Sequence, residues 1–466
     1  MLHQNLSASG SYETVGVVGA ISGHDDVLLL AASRLQGATP EAFEIYLRSA
    51  TARKIESKDG RVETLTQATD AGLAIRVIKD RRMGFSFTTD LSRDAVTRAA
   101  EAALAIAKVM PKDEDLALTR FSASHYPAVN LRDEKGLAVP VARKIALALD
   151  LERRVRDSDK RITQIRQASL SETDYRIAML DHSGEPIRYD GTLFSASVTC
   201  KAEQNGDAQM GGDFDFAHDL ASLDFDAVAR RSVETATELL GAGTAPTARC
   251  PAVLRNSVVA DLLEFLAGSF LAESIDKGRS VLKGRQGSRI FSEKLTLIHD
   301  GLLPGGYGTA PFDAEGVPSH KTVLVDGGFF ERALYDLKYA KIHGAKPSAC
   351  ASRGIKSPPA GSVANLYFKK GRKKPESLLS GISRGVLITD LMGVHTANPI
   401  TGDFSLGASG LWIENGVISR PVKGFAVAGN VIDLLGSVVD VASDLRFFGS
   451  VGAPSIVVSE LSVGGA

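Results

Sequence analysis

One stretch of this 466-residue chain, Pro251 to Ser269, gathers polar side chains on an otherwise apolar element. It reads as a short strand (Ala252 to Leu254), a turn, and a helix that opens near Asn256 and runs to about residue 273. Val258, Val259, Leu262, Leu263, Leu266, Phe270 and Leu271 recur at helical spacing over a wide arc, so most of this helix is expected inside the protein. Asn256 or Ser257 is placed to cap it by accepting a free backbone N–H. Asp261, Glu264, Ser269 and Glu273 interrupt the apolar surface. Polar residues are mostly exposed, so a water-facing stripe competes here with the lining of a site.

Three other chemistries compete for this chain: a metal centre, a serine nucleophile and a phosphate cradle. The nine histidines include no two within five residues, so there is no H-E-x-x-H pair for zinc. A metal site would have to be assembled from distant groups such as Asp313, Glu315, His320 and His343. Gly381-Ile382-Ser383-Arg384-Gly385 matches G-x-S-x-G, with Asp390 and His395 downstream. A nucleophile elbow needs a helix after the serine, whereas Val386 to Thr389 reads as a strand, which favours a glycine turn. Ser280 to Lys283 matches S-x-x-K without its companion motifs, and Gly305 to Gly308 is a glycine loop without a lysine anchor for phosphate. Asp313, Glu315, His320, His395 and Asp403 cluster in glycine-rich loops, where they either line a substrate cleft or cap turns.

The elements that must position these groups fall into two sets. In the first half, alternation at Phe43, Ile45 and Leu47, at Leu73, Ile75 and Val77, and at Met83, Phe85 and Phe87 reads as strands. Asp59-Gly60 and Asp70-Ala71-Gly72 are turn signals between them. Helices are expected over Asp25–Leu35, Ser92–Met110, Pro140–Asp157 and Phe225–Leu240. Ile162 to Phe216 returns to alternation, with Phe194, Ala196, Val198 and Cys200 on the buried side. Residues 1–22 read as a mobile lead-in. Gly241 to Pro246 is the best linker, which sets an N-terminal α+β domain at 1–245 and a strand-rich, barrel-like antiparallel domain at 246–466. Its strand candidates include Leu295–His299, Thr322–Val325, Arg332–Leu337, Ser362–Phe368, Val386–Thr389, Leu411–Glu414 and Phe425–Ala428.

Composition narrows the function classes. With 54 basic and 55 acidic side chains the net charge is −1, which gives no electrostatic case for nucleic acid or an anionic membrane. The basic run Lys369 to Lys374 is broken by Gly371 and closed by Pro375, as in a solvated loop. Cys200, Cys250 and Cys350 are far apart and odd in number, which suits a reducing cytoplasm better than a disulfide framework. The apolar run Val15 to Ile21 is too short to span a membrane.

Longer stretches carry a resemblance. Thr309-Ala-Pro-Phe-Asp-Ala-Glu-Gly-Val317, Gly381-Ile-Ser-Arg-Gly-Val-Leu-Ile-Thr389, Thr401 to Gly410 followed by Trp412-Ile-Glu-Asn-Gly416, and the closing Gly449 to Gly465 resemble the TldD/PmbA family, named for modulation of DNA gyrase and known as metalloproteases. The resemblance is strong over about 250–466 and holds in pattern before that. It implies that the helix at 256–273 is the one that carries H-E-x-x-x-H in the catalytic TldD branch, with a cysteine ligand near the C-terminus. Aligned on the Leu-Leu pair and the glycine, Glu264 and Ser269 fall at the two histidine positions and Phe265 at the glutamate base; Asp444 to Gly449 holds no cysteine. A hydrolytic zinc needs about three protein ligands, an open position and a base. The resemblance therefore implies the PmbA/TldE branch. Such a chain is a non-catalytic subunit with no metal of its own, paired with a zinc-bearing TldD-type partner, or as a homodimer, around unfolded peptide. An independent hydrolase using Ser383 or scattered metal ligands, and a non-enzymatic peptide- or protein-binding role, stand as alternatives.

Overall fold

The computed structural model describes residues 24–122 and 125–465; the lead-in expected over 1–22 lies outside them. The architecture is mixed α+β, as the alternation and helix signals imply. The first half runs α1 (His24–Gln36), β1 (Ala42–Lys58), β2 (Arg61–Lys79), β3 (Arg82–Thr88), α2 (Arg93–Val109), α3 (Glu134–Ala138), α4 (Val141–Ser158), β4 (Ile162–Asp181), β5 (Pro186–Gln204), β6 (Asp207–Ala217) and α5 (Phe225–Thr237). Its strands form one antiparallel sheet in the order β3-β2-β1-β4-β5-β6. Asp59-Gly60 and Asn205-Gly206 close hairpins with positive φ at both residues, the geometry that matches strand twist.

Asp70-Ala71-Gly72 is not a turn. β2 runs straight through it, paired with Ser49, Ala50 and Arg48 of β1. The glycine serves packing instead: a Cβ on Gly72 would sit 2.7 Å from Cγ2 of Ile355. One face of the sheet carries Phe43, Ile45, Leu47, Leu73, Ile75 and Val77 against α1 and α2. Ile165, Ala168, Leu170, Phe194, Ala196, Val198 and Cys200 continue that layer against α4 and α5. The intervening residues Tyr46, Ala74, Met179 and Ile187 are buried on the other face against Phe121, Phe312 and Ile355. Ala74 blurs the alternation in β2 because both faces of this part of the sheet are covered.

The second half runs β7 (Ala248–Leu254), α6 (Asn256–Ala267), α7 (Ala272–Asp276), β8 (Leu297–Asp300), β9 (Lys321–Asp326), β10 (Phe329–Phe330), α8 (Leu337–His343), β11 (Ala351–Ser352), β12 (Ala360–Gly361), β13 (Leu366–Phe368), β14 (Arg384–Met392), β15 (Asp403–Glu414), β16 (Val417–Asn430), α9 (Val431–Gly436), β17 (Val438–Val441), β18 (Arg446–Phe447), β19 (Val451–Ala453) and β20 (Ile456–Gly464). The order β16-β15-β14-β7-β20 closes on itself through pairing of β16 with β20, which makes a five-stranded barrel. A second sheet, β10-β9-β8-β13-β19-β18, lies beside it, and α6 is buried in the core with residues of both sheets. Arg332–Leu337 is not a strand. Leu334 makes a single bridge with Leu271, and Asp336 then caps α8 by accepting from the Tyr339 N–H at 2.8 Å. Among the described residues no helix is long and apolar enough to cross a membrane.

Candidate functional site

The helix read from the sequence is shorter than its apolar spacing suggested. α6 ends at Ala267, a 3-10 turn covers Gly268–Phe270, and Leu271 is extended before α7 begins. The chain is held open there by the neighbouring segment: Leu334 donates its N–H to the Phe270 carbonyl at 2.8 Å and Ala272 donates to the Leu334 carbonyl at 2.9 Å. The expected caps do not operate either. Arg255 occupies the N-cap without a side-chain bond. The Asn256 N–H is taken by Oγ of Ser455 at 3.0 Å, and the Asn256 side chain donates to the Asp444 carbonyl at 3.1 Å. Asp444 in turn accepts from the Ser455 hydroxyl at 2.7 Å and the Ser455 N–H at 2.9 Å. The C-terminal segment thus fixes the start of α6.

Along α6, Asp261 is half-buried and Glu264 is exposed. Burial, followed by the charges of Asp390 and Glu264, pushes the Asp261 carboxyl up to about 6. Phe265 is half-buried and packs against the central core, together with Leu391 and Val394. Ser269 is buried in the 3-10 turn, where its carbonyl accepts from the Ser280 hydroxyl at 2.7 Å. That bond also employs the serine of the S-x-x-K match as a turn element. Ser383 is exposed on a turn and is followed directly by β14, so the strand–turn–helix of a nucleophile elbow is absent there.

The loop candidates separate into two groups. Asp313 and Glu315 come together between the two halves of the chain. Asp313 accepts the backbone N–H groups of Glu315 (2.9 Å), Val317 (3.0 Å) and Ala351 (3.0 Å). Burial and the Glu315 charge push its carboxyl up to about 7 against those three donors. Glu315 accepts from Nη1 of Arg76 at 3.2 Å and from the Leu337 N–H at 2.9 Å. Arg76 also holds Glu44 through Nη2 at 2.6 Å and Nε at 3.2 Å, and Arg353 donates to the same Glu44 carboxylate. Burial opposes the charge on Glu44, yet the two guanidinium groups hold its carboxyl below the ordinary range. Arg353 lies over the Tyr46 ring at 4.5 Å. Glu44, Arg76, Glu315 and Arg353 therefore form a buried ionic quartet that joins β1 and β2 to the loops of the second half.

His320, His395 and Asp403 are not part of this group. All three are exposed. His320 places Nδ1 3.1 Å from the Pro318 carbonyl. His395 sits on the turn Val394–Thr396 beside α6. Asp403 accepts from the Asn430 side chain at 2.9 Å, and this bond with that of Thr401 holds its carboxyl below the usual range. His343, the other scattered metal candidate, pairs with Asp276 at 2.8 Å. Glu44, Arg76 and Arg353 escaped the sequence reading. A charged residue in the middle of an apolar strand, as in Phe43 to Leu47 and Leu73 to Ile78, is the signal that points to a buried pair.

The chain matches models of three PmbA/TldA metallopeptidase domains: domain 1 over residues 43–107, the central domain over 134–240 and the C-terminal domain over 247–465. It belongs to the PmbA/TldD family. Metalloprotease PmbA of Escherichia coli O157:H7 is 26% identical over 440 residues, covering 94% of each chain. A Thermotoga maritima protein named for modulation of a DNA gyrase superposes with a TM-score of 0.84 at 26% identity, over 94% of this chain and 98% of that one. TldE from Thermococcus kodakarensis has the same fold, with a TM-score of 0.86 at 22% identity, over 95% and 99% of the two chains.

Membership raises the question of zinc, and the donor chemistry on α6 does not fit it. Of the three positions that the resemblance aligns with the zinc motif, only Glu264 offers a good ligand. Ser269 is buried past the helix end, and Phe265 has no proton acceptor. Among the described residues no group of three or more His, Cys, Asp or Glu is close enough to hold a metal ion. The cysteines are buried, and burial pushes the Cys200 thiol up to about 11 and those of Cys250 and Cys350 above the ordinary value, away from the thiolate that binds metal.

Proposed function

We propose that this chain is the PmbA/TldE-type subunit of a cytoplasmic PmbA/TldD-type metallopeptidase complex that acts on unfolded peptide, and that it is catalytically silent by itself. The observation that carries this reading is what stands at the positions the resemblance aligns with the zinc motif, on α6 and the turn after it: a glutamate, a phenylalanine and a buried serine, where a hydrolytic site needs two ligands and a base. Zinc and the base belong to a TldD-type partner. This chain supplies the shape of the enclosure and backbone contacts to extended peptide. The balanced charge of −1 makes any effect on DNA gyrase indirect, through processing of a protein and not through binding of duplex.

The test is zinc content and peptide hydrolysis, measured on the untagged chain alone and after mixing with a TldD-type protein from the same organism. Alone, the chain is expected to hold negligible zinc and leave an unstructured peptide intact, and hydrolysis is expected only in the mixture. Stoichiometric zinc in the isolated chain, or hydrolysis abolished by Glu264→Ala without any partner present, would overturn the reading.

A further inference from the structure

We propose that Tyr46, Arg48, Tyr175 and Tyr189, on the face of the first-half sheet turned toward the second half, form a recess that binds a carboxylate carried beside an apolar group, as at a peptide C-terminus or an acidic side chain. Tyr46 and Arg48 stand two residues apart on β1, so they share a face. In the register Arg48 lies opposite Ile177 of β4, Ile177 lies opposite Tyr189 of β5, and Tyr175 lies opposite Gly191. The four side chains therefore rise from the same face as the cluster around Phe312. Their rings are fixed. Tyr189 meets Phe312 at 5.0 Å and Tyr175 at 6.2 Å between centres, both edge-on. Gly191 makes room for Tyr175: a Cβ there would lie 2.5 Å from the phenol oxygen.

The polar ends of this group lack partners. Tyr126, on the same face, gives its hydroxyl to the Gly316 carbonyl at 2.8 Å. The hydroxyls of Tyr46, Tyr175 and Tyr189 have no hydrogen-bond partner among the described residues, although Tyr46 is only 4% exposed and the other two are half-buried. None of the three oxygens is sealed from solvent, so each opens on space that a ligand can enter. Burial raises all three phenols, Tyr175 to about 12, and the Arg48 charge opposes the rise in each. They keep their protons and act as donors. Arg48 is not firmly paired: the exposed Asp70 lies 3.6 Å from Nη1, beyond a hydrogen bond. Phenol donors around a guanidinium complement an anionic acceptor. Asp70 beside Arg48, Asp190 near Tyr175 and Asp313 near Tyr189 select a monoanion, because a dianion such as phosphate would meet stronger repulsion. Tyr307 of the glycine loop, 47% exposed and seated on Phe216 at 5.3 Å, lies near Tyr175 and offers a wall for the apolar neighbour.

Peptide as the carrier of that carboxylate rests on the reading above, and the recess itself does not. The test is calorimetry on the full chain alone, so it reads binding, whereas hydrolysis in the mixture judges the peptidase reading separately. The probes are N-acetyl-glycyl-glycyl-leucine, its C-terminal amide, and that amide with glutamate in place of the second glycine. The first or the third is expected to bind at least about tenfold tighter than the plain amide, and the tighter of the two names the source of the carboxylate. Arg48→Met is expected to abolish this preference. Tyr189→Phe keeps the ring on Phe312 and is expected to reduce the preference about threefold or more, with binding of the plain amide and the melting temperature unchanged. Equal binding of acid and amide overturns the proposal, as does no binding of any probe up to about 10 mM. A preference that survives both substitutions, or displacement of the peptide by inorganic phosphate more strongly than by acetate, also overturns it.

Discussion

At the scale of single residues, α6 joins core packing to one carboxyl held against its charge. Phe265 packs an apolar ring against the core and offers no proton acceptor, so that position contributes burial. Asp261 is the one group on this helix whose charge the structure opposes. Its carboxyl is raised from 3.8 to about 6, first by burial and then by Asp390 and Glu264. A raised carboxyl favours the protonated folded form, so its contribution to stability is complete below about pH 4 and is lost as the pH rises through about 6. Asp261→Asn removes that loss. Urea unfolding is expected to find the variant about 1 kcal/mol more stable than the parent at pH 8, after allowance for screening at a half-buried position, and equal to it at pH 4. A less stable variant at pH 8 would mean that the carboxylate has a cationic partner.

At the scale of elements, α6 depends on a segment almost two hundred residues away. Its first free N–H is taken by Ser455, which Asp444 holds in place. Ser455→Ala is expected to cost about 1 kcal/mol, the usual value of a lost cap, seen as a shift of the urea midpoint at constant slope. The same region of the chain, Asp444 to Gly449, lacks the cysteine that the resemblance assigns to catalytic relatives, so here it serves as a cap and not as a ligand. α2 and β3 show a comparable dependence on one position: Gly84 lets the helix approach so closely that a Cβ would lie 1.9 Å from the Ala103 carbonyl oxygen. Neither a distant cap nor a close approach leaves a periodicity in the sequence, and the bonds of Leu334 to Phe270 and Ala272 that end the helix short of residue 273 leave none either.

At the scale of the whole molecule, the two halves are joined by chemistry as well as by packing. Phe312 enters the aromatic cluster on the sheet, 5.1 Å from Tyr126 and 5.0 Å from Tyr189 between ring centres. The ionic quartet lies in the same interface, with Arg353 shielded completely and Glu44 almost so. Removing one member of a buried charge set costs more than the set contributes, because the remaining charges lose their compensation. Glu44→Gln leaves Arg76 with Glu315 and removes the carboxylate that Arg353 holds, leaving it the Ala314 carbonyl. It is expected to cost about 3–5 kcal/mol in chemical denaturation and to expose the 309–320 loop to limited proteolysis. Unchanged stability would mean that solvent compensates the quartet.

The sequence by itself determined the fold class, most of the helices, the strand-rich second half and the family, because these rest on local spacing and on contiguous motifs. Phe43, Ile45 and Leu47 declared a buried strand face, and Asp59-Gly60 declared its hairpin through the φ values those residues tolerate. Through the resemblance it also aligned Glu264, Phe265 and Ser269 with the positions of the catalytic motif. Only the tertiary structure decided that Asp313 and Glu315 meet Arg76, Glu44 and Arg353 in a buried interface, while His320, His395 and Asp403 face solvent elsewhere. Only it decided that Asp70-Ala71-Gly72 continues a strand and that α6 stops at Ala267. The physical reason is common to these cases: a loop carboxylate is a turn cap or a buried ion, and a glycine a turn or a packing gap, according to which distant segment lies against it, and that contact is absent from the local pattern.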